Sequence, residues 1–269
     1  MARTDIVFSG SIPQLYDHHA GALLFAPYAM DVAQRLSGLA SGHLLETAAG
    51  TGIVTHALAA ALPEAVEIVA TDLNQPMLDH AAAKPGMGRV TFRQADALAL
   101  PFPDRTFDVI ICQFGLMFFP DRVAGMREAR RVLKPGGRFL FSVWDRMADN
   151  PITAVIVAAL TRRYPSHPSW FLERIPCGYH DPEAIRADLL SAGFARASIE
   201  TVRLNGHAPD ARSPATGMWQ GTPMRAEIEA LDPGGLEGAT DAVAVAVAER
   251  FGDGPFEVSL QALVIEVSG

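Results

Sequence analysis

Residues 43–55 read H-L-L-E-T-A-A-G-T-G-I-V-T, and this stretch decides the fold. Its apolar start predicts a buried strand, and the small residues that follow predict a tight turn into a helix. Glycine tolerates positive φ and lets a ligand approach the main chain, so Gly50 and Gly52 indicate a binding loop. The helix predicted from Thr51 would offer unpaired N–H groups to a negatively charged part of that ligand.

The residues around the two glycines indicate which ligand the loop binds. A dinucleotide fingerprint needs a third small residue, and Thr55 occupies that place. Glu46, at the end of the strand, would repel a pyrophosphate but would suit a cationic amino group. The pattern E-x-A-x-G-x-G resembles motif I of the class I S-adenosylmethionine-dependent methyltransferases, usually D/E-x-G-x-G-x-G, with Ala48 replacing the first glycine. This resemblance implies S-adenosyl-L-methionine as cofactor, S-adenosyl-L-homocysteine as product, and Glu46, Ala48, Gly50 and Gly52 as cofactor-binding residues.

A second acidic residue follows the next predicted strand. The apolar run 66–70 is typical of a strand buried on both faces of a parallel sheet, and Asp72 lies at its carboxyl end. Ligands of doubly wound folds bind at that edge, where an acid can accept hydrogen bonds from both hydroxyls of a ribose. Asn74 is predicted to cap the following helix. The resemblance adds Leu73 and Met77 to the expected cofactor contacts.

Residues 94–102, Q-A-D-A-L-A-L-P-F, resemble the third signature of the same family. The resemblance implies that the Asp96 carboxylate accepts a hydrogen bond from the adenine amino group and that the main chain at Ala97 meets the ring. A fourth strand is predicted over 107–113, and Gln113 and Phe114 at its end are expected to contact the cofactor. The N/D-P-P-Y/F motif of methyltransferases that act on nucleobase amino groups is absent there.

The remaining pattern predicts an α/β fold. Residues 133–140, L-K-P-G-G-R-F-L, are typical of this family and predict a turn over 134–137 into a fifth strand. Strands alternate with helices up to this point, as in a parallel sheet, and the last two strands, over 194–204 and 256–267, are expected to form an antiparallel edge. The expected architecture is a Rossmann-like, doubly wound, seven-stranded sheet, mostly parallel with an antiparallel C-terminal strand. The chain resembles the UbiE-like branch (methyltransferase type 11), which acts mostly on small molecules and quinones.

We expect one methyltransferase domain over residues 1–269. Within it, residues 1–40 would form an N-terminal helical lid, 41–145 the cofactor-binding core, and 146–180 and 205–254 insertions that cover the substrate. Residues 205–214 are predicted as loop, and 237–251 as a helix, although alternating Ala and Val there would also suit a strand. Tyr16 and Phe25 are candidates for lid residues at the cofactor site, and simple docking of a helix is the alternative.

Methyl transfer from a sulfonium needs alignment more than acid or base strength. A base is required only for a protonated acceptor, and His18 and His180 are the favoured candidates, against the alternative of surface or capping histidines. Apolar residues at 117–119, 144, 170–171 and 218–219 would roof the strand ends, and a pocket lined in this way suits an apolar or aromatic acceptor; ordinary core packing is the alternative. No pattern of metal ligands is present in the sequence, so no metal is expected.

Composition limits the remaining possibilities. A net charge of −8 and a pI near 5.4 argue against a nucleic-acid partner. The two cysteines form no framework, and no apolar run reaches the length of a membrane span, so we expect a cytoplasmic protein that acts on a small molecule. Two alternatives stay open, a non-catalytic S-adenosylmethionine-binding protein that acts through a partner and an NAD-dependent oxidoreductase. Nothing in the sequence decides the oligomeric state.

Overall fold

The computed structural model describes residues 12–269, except for the side chains of Ile12, Pro13 and Tyr16. In this part of the chain seven strands form one sheet in the order β3-β2-β1-β4-β5-β7-β6. The strands are β1 Gly42–Glu46, β2 Val66–Asp72, β3 Val90–Gln94, β4 Phe107–Gln113, β5 Leu133–Trp144, β6 Ala197–Ala208 and β7 Phe256–Ser268. The expected fold class is confirmed.

The first five strands are parallel, and β7 runs antiparallel to both β5 and β6. The strand order reverses beside β1, which pairs with β2 on one side and with β4 on the other. In an open parallel sheet, this reversal leaves a crevice at the carboxyl ends of the strands. Because β1, β2 and β4 run in the same direction, Glu46, Asp72 and Gln113 at their carboxyl ends lie at one edge of the sheet.

Helices connect the strands and cover the edge of the sheet. A π-helical segment, Tyr16–Phe25, leads into α2, and a second one, Thr216–Gln220, follows α9. The α-helices are α1 Ile12–Leu15, α2 Ala26–Arg35, α3 Ile53–Ala61, α4 Gln75–Ala82, α5 Arg122–Val132, α6 Pro151–Arg163, α7 Phe171–Arg174, α8 Pro182–Ser191, α9 Arg212–Ala215, α10 Met224–Leu231 and α11 Leu236–Phe251. No helix among residues 12–269 is long and apolar enough to span a membrane.

Three local predictions are corrected by the structure. Residues 205–208 continue β6, because this strand pairs with β7 as far as Ala208 opposite Phe256. The stretch predicted as a turn before the fifth strand lies within β5, which begins at Leu133 and pairs with β4 across a shift in register. Asn74 does lie at the N-cap position before α4, but its side chain donates to Asp72 and makes no capping hydrogen bond.

The core lies on both faces of the sheet. Leu44, Ile110 and Phe139 in the central strands are almost completely buried, as expected for parallel strands covered by helices on either side. The Ala- and Val-rich residues 236–251 form α11, which confirms the helical prediction for that region. This arrangement leaves the polar ends of the strands as the natural place for a site.

Candidate active site

The loop after β1 turns through left-handed backbone conformations. Ala48, Gly50 and Gly52 have φ angles of 52°, 55° and 76°. Glycine adopts such angles without strain, whereas alanine does so at a cost of about 1–2 kcal/mol. A Cβ added to Gly50 would meet no atom within 4 Å, so this residue borders open space. A Cβ added to Gly52 would lie 2.8 Å from the Cβ of Ala81, so Gly52 serves the packing of α4 against the loop.

Glu46 is a buried carboxyl group at the end of β1. It is 2% exposed, and Thr55 donates a hydrogen bond of 2.7 Å from Oγ1 to its Oε2. Burial, opposed by the hydrogen bond from Thr55 and assisted by the charge of Asp72, raises the pKa of Glu46 to about 8. The carboxyl group is therefore mostly neutral at pH 7 until a cation lies beside it. Such a group is suited to binding an ammonium ion.

Asp72 lies at the end of the neighbouring strand and is 8% exposed. Its Oδ2 accepts a hydrogen bond of 2.9 Å from the main-chain N–H of Gly50, and its Oδ1 accepts one of 2.8 Å from that of Asn74. Burial raises the pKa of Asp72, and these hydrogen bonds oppose the rise. Oδ1 also accepts from Nδ2 of Asn74 over 3.3 Å, so Oδ2 is the oxygen that keeps a second lone pair for a ligand hydroxyl. Asp72 thus links the glycine loop to the start of α4 and keeps capacity for a ligand.

A cavity of about 220 Å³ lies at the carboxyl ends of β1, β2 and β4, and we call it the first cavity. It brings together most of the residues that the sequence predicted for the cofactor. Those that line it are Phe25, Glu46, Ala48, Gly50, Asp72, Leu73, Met77, Asp96, Ala97, Gln113 and Phe114. Gly52 does not line it, because it packs on α4, and the side chain of Tyr16 lies outside the described residues.

Sequence reasoning missed part of the lining. Thr51, Ile53, Asn74 and Leu98 adjoin predicted positions and could have been found from that proximity. Phe118 and Phe119, which were expected to roof the strand ends on the acceptor side, also line the first cavity, together with Pro120.

Gln113 connects the first cavity to the N-terminal segment. Its Nε2 donates a hydrogen bond of 3.3 Å to the carbonyl oxygen of Phe25. Only an amide nitrogen can donate to a carbonyl, so this bond fixes the orientation of the side chain. Its Oε1 is buried and has no hydrogen-bond partner in the described structure. A buried acceptor without a partner costs free energy, and a ligand donor would remove that cost.

A second cavity adjoins the first and shares Phe25, Phe114 and Phe118 with it. Phe114 stacks on Trp144 with 3.9 Å between ring centroids, and it has a φ of 52°, which is unusual for a large side chain. The residues that line the second cavity are Ala20, Leu24, Phe25, Phe114, Met117, Phe118, Trp144, Asn150, Thr153, Phe171, Leu172, Pro176, Cys177, Met218 and Thr222. The three shared phenylalanines form the wall between the cavities.

The second cavity has an apolar lining with few polar groups. Its described lining contains no Asp, Glu, His, Lys or Arg. Burial raises the pKa of Cys177 to about 12, so this thiol stays neutral at physiological pH. The Asn150 side chain is used within the protein, since its Nδ2 donates to the carbonyl of Gln261 and its Oδ1 accepts from the N–H of the same residue. The cavity therefore suits an apolar or aromatic molecule and supplies no strong base.

The two histidines predicted as base candidates lie outside both linings. His18 is exposed, and its ring lies 4.6 Å from that of His19. His180 donates from Nδ1 to the carbonyl oxygen of Cys177 over 2.8 Å, so its own turn fixes the ring. The structure does not bring either residue to the wall between the cavities. Their catalytic role stays a prediction without structural support.

The residues that line the first cavity fit the chemistry of S-adenosylmethionine. Glu46 is a buried acid that gains a charge partner from an ammonium group, and Asp72 offers acceptor lone pairs for ribose hydroxyls. Gly50 lets the ligand approach the main chain because no side chain fills that space. Asp96 is exposed at the rim, where it can accept from an amino group of a base.

Comparison with known proteins agrees with this fit. A family described as "Methyltransferase domain" matches residues 44–137. The ubiquinone/menaquinone biosynthesis C-methyltransferase UbiE of Ectopseudomonas mendocina is 33% identical over 182 residues, which cover 62% of this chain and 71% of that protein. The UbiE protein of Geobacter sulfurreducens is 43% identical over 101 residues, which cover 36% of this chain and 40% of that protein.

Solved structures show the same fold. YcgJ from Bacillus subtilis aligns with a TM-score of 0.55 at 22% identity over 90% of this chain and 97% of its own. Phosphoethanolamine N-methyltransferase 2 of Haemonchus contortus aligns with a TM-score of 0.60 at 16% identity over 95% of this chain and 56% of its own. The UbiE relatives and the family match set aside the open alternatives, an oxidoreductase and a non-catalytic protein. The chain belongs to the UbiE-like family of class I S-adenosylmethionine-dependent methyltransferases.

Proposed function

We propose that this enzyme methylates a small acceptor with an aromatic or otherwise apolar body, and that the acceptor binds in the second cavity. One observation carries this proposal: the first and second cavities meet at a wall made by Phe25, Phe114 and Phe118. A donor in the first cavity and an acceptor in the second would therefore meet beside these three side chains. Transfer in line over about 3 Å gains most of its rate from such positioning.

S-adenosylmethionine supplies a methyl group that is already activated by the sulfonium. The protein contributes binding and orientation. Glu46 would hold the ammonium end of the cofactor and Asp72 the ribose, and the distance between β1 and β2 then fixes the position of the nucleoside. The aromatic wall would limit the access of water to the region between the cavities, and Oε1 of Gln113, which lines the first cavity, would accept a hydrogen bond from a donor group of the cofactor.

The second cavity restricts the nucleophile. Its lining has no ionisable side chain other than the neutral thiol of Cys177, so the protein would not remove a proton from an alcohol there. An acceptor must therefore react through an atom that needs no protein base, such as a carbon of an electron-rich ring. In that case a bond would form from the ring carbon to the methyl carbon while the bond from sulfur to the methyl carbon breaks, S-adenosylhomocysteine would be the leaving group, and the ring proton would pass to solvent.

The relatives support an aromatic acceptor. The UbiE proteins that this chain resembles carry the name ubiquinone/menaquinone biosynthesis C-methyltransferase. Flat rings would also complement the stacked faces of Phe114 and Trp144. We therefore place quinols and electron-rich phenols first among the acceptor candidates, with carbon as the acceptor atom.

An assay with labelled methyl donor over a panel of quinols, phenols, amines and fatty acids tests this proposal. We expect labelling of aromatic compounds and none of the fatty acids, with the label on ring carbon. Methylation confined to aliphatic amines or to acids would contradict the proposal.

A pair of variants tests the location of the acceptor. Cys177→Phe would fill part of the second cavity, and we expect turnover to fall by about tenfold or more, since overpacking costs about 1–3 kcal/mol. Binding of S-adenosylhomocysteine, measured by calorimetry, should stay within about twofold, because Cys177 does not line the first cavity. Cys177→Ser preserves the volume and serves as the matched control. Equal turnover in both variants would place the acceptor elsewhere.

A further inference from the structure

Asp17 joins the N-terminal π-helical segment to two elements of the cofactor site. Its Oδ1 accepts a hydrogen bond of 2.9 Å from Oγ1 of Thr51, a residue of the glycine loop. The same oxygen accepts one of 2.6 Å from Nζ of Lys84, just beyond α4, and Oδ2 lies 3.3 Å from Nε2 of His80 on α4. One carboxylate thus contacts both the loop after β1 and the helix after β2.

The segment that carries Asp17 forms part of both cavities. Ala20 and Leu24 line the second cavity, and Phe25 lines both. Gly21 lies against α3, where an added Cβ would be 3.2 Å from Cδ1 of Ile53. The segment Tyr16–Phe25 therefore serves as a wall for cofactor and acceptor alike, with Asp17 near its start and Phe25 at its end.

The electrostatics of the cluster favour a charged contact. The side chains of Asp17 and Lys84 are 24% and 20% exposed, so solvent screens them only in part. Burial acts to raise the pKa of Asp17, but the hydrogen bond and charge of Lys84, with His80 and Thr51, lower it overall. Charge-assisted hydrogen bonds of this kind are about twice as strong as neutral ones.

No substrate chemistry explains this cluster. Asp17, His80 and Lys84 line neither cavity, so none of them is placed to contact the cofactor or the acceptor. Their shared effect is mechanical, since they fix the start of the segment to the loop that contains Gly50 and Thr51. At the other end of the segment, the carbonyl of Phe25 is held by Gln113.

We propose that Asp17 is a positioning residue that latches the segment Tyr16–Phe25 over the two cavities, so that cofactor and product exchange requires this latch to open. Loss of the contacts of Asp17 would free the segment that lines both cavities, and it would also remove the hydrogen bond from Thr51 of the glycine loop. The cofactor part of the proposal rests on the family of this chain, and only the acceptor part rests on the proposed function.

Asp17→Asn and Lys84→Met test the latch. Asparagine keeps the shape and can still accept from Thr51, but it loses the charge that binds Lys84. We expect the dissociation rate of S-adenosylhomocysteine, measured by stopped-flow displacement, to rise about tenfold in either variant. The double variant should dissociate no faster than the more affected single one, because both substitutions break the same contact.

Hydrogen–deuterium exchange of the intact protein gives a readout that is independent of activity. Backbone amides of 16–25 should exchange faster in Asp17→Asn, while those of β4 and β5 should not change. Glu200→Gln is the matched control, since Glu200 pairs with Arg35 of α2 over 2.8 Å and lines neither cavity. It should leave product dissociation unchanged.

The latch is refuted if Asp17→Asn and Lys84→Met keep the dissociation rate and the exchange of 16–25 of the unmodified protein. It is also refuted if Glu200→Gln changes the dissociation rate and the exchange of 16–25 as much as Asp17→Asn and Lys84→Met do. The proposed function fails by different readouts, the acceptor panel and the turnover of Cys177→Phe, and neither depends on the contacts of Asp17, so the two failures can be distinguished.

Discussion

The first and second cavities share a wall, yet they are built in opposite ways. The first takes its polar groups from the ends of three neighbouring strands and holds two buried acids, Glu46 and Asp72. The second is assembled from the N-terminal segment, the turn after β4 and helices far along the chain, and its lining is almost entirely apolar. Recognition of a charged donor therefore depends on a few exact contacts, whereas recognition of the acceptor depends on shape and volume.

This contrast is tested most strongly at Asp72. Asp72→Ala removes the acceptor for the N–H groups of Gly50 and Asn74 and the contact expected for the ribose. We expect the affinity for S-adenosylhomocysteine to fall about 100-fold in calorimetry. The free energy of unfolding in urea should fall by about 2 kcal/mol, since two buried donors lose their partner.

Asp96→Ala is the control for that loss. Asp96 also lines the first cavity, but it is exposed, so water can replace its contacts and the loss of affinity should be about tenfold or less. Equal affinity in the Asp72→Ala variant and the unmodified protein would show that the nucleoside does not depend on this strand end. Cys177→Phe should show the reverse pattern, in which the affinity for S-adenosylhomocysteine is kept and turnover falls.

The next largest expected effect is the pH dependence that Glu46 gives to stability and to the affinity for S-adenosylhomocysteine. Its pKa of about 8 in the cofactor-free protein lies above the ordinary 4.5, so folding favours the neutral acid. This contribution to stability is complete below pH 4.5 and is lost as the pH rises through 8. Binding of an ammonium group favours the carboxylate, so the affinity for S-adenosylhomocysteine should rise between pH 6 and 8 by up to about tenfold per unit.

Calorimetry in buffers of different ionisation enthalpy measures the proton released on binding. The Glu46→Gln variant, whose side chain is neutral at every pH, should bind S-adenosylhomocysteine more weakly. Its affinity should also lose the part of the pH dependence that comes from Glu46. If the substituted protein keeps the same proton release, Glu46 does not titrate with binding and the ammonium contact is wrong.

The smallest effect is expected in the glycine loop. Ala48 has a φ of 52° in the place where the family usually has glycine. Ala48→Gly should relieve this strain, while the unfolded chain gains freedom, and the net gain in free energy of unfolding should be about 0.5–1 kcal/mol. Thermal unfolding measures the gain, and Gly50→Ala, at a φ of 55° with open space around it, is the opposite control. A loss of stability in Ala48→Gly would show that its methyl group contributes more by packing than it costs in strain.

The sequence predicted the first cavity well because its residues are local to strand ends. Glu46 and Asp72 each follow an apolar run, and an acid at that position reaches the same edge in any parallel sheet. Gly52 was included on the same reasoning, but its missing side chain makes room for Ala81 of α4. A glycine pattern alone does not distinguish closeness to a ligand from closeness to a helix.

Other features depend on contacts between distant segments. The hydrogen bond from Gln113 to Phe25 and the contact from Asp17 to Lys84 join residues 88 and 67 positions apart, and no local pattern encodes either. His180 was favoured because its turn was expected near the cleft, and its ring is instead held by the carbonyl of Cys177. Loop prediction failed over 205–208 for a related reason, since pairing with β7 extends the strand beyond what its own residues suggest.

A crystal structure with S-adenosylhomocysteine and an aromatic acceptor analogue tests the two-cavity account most directly. The account places the ribose on Asp72, the amino group beside Glu46, and the sulfur at the wall of Phe25, Phe114 and Phe118, facing an analogue in the second cavity. A nucleoside bound outside the first cavity, or a sulfur atom directed away from that wall, would contradict it.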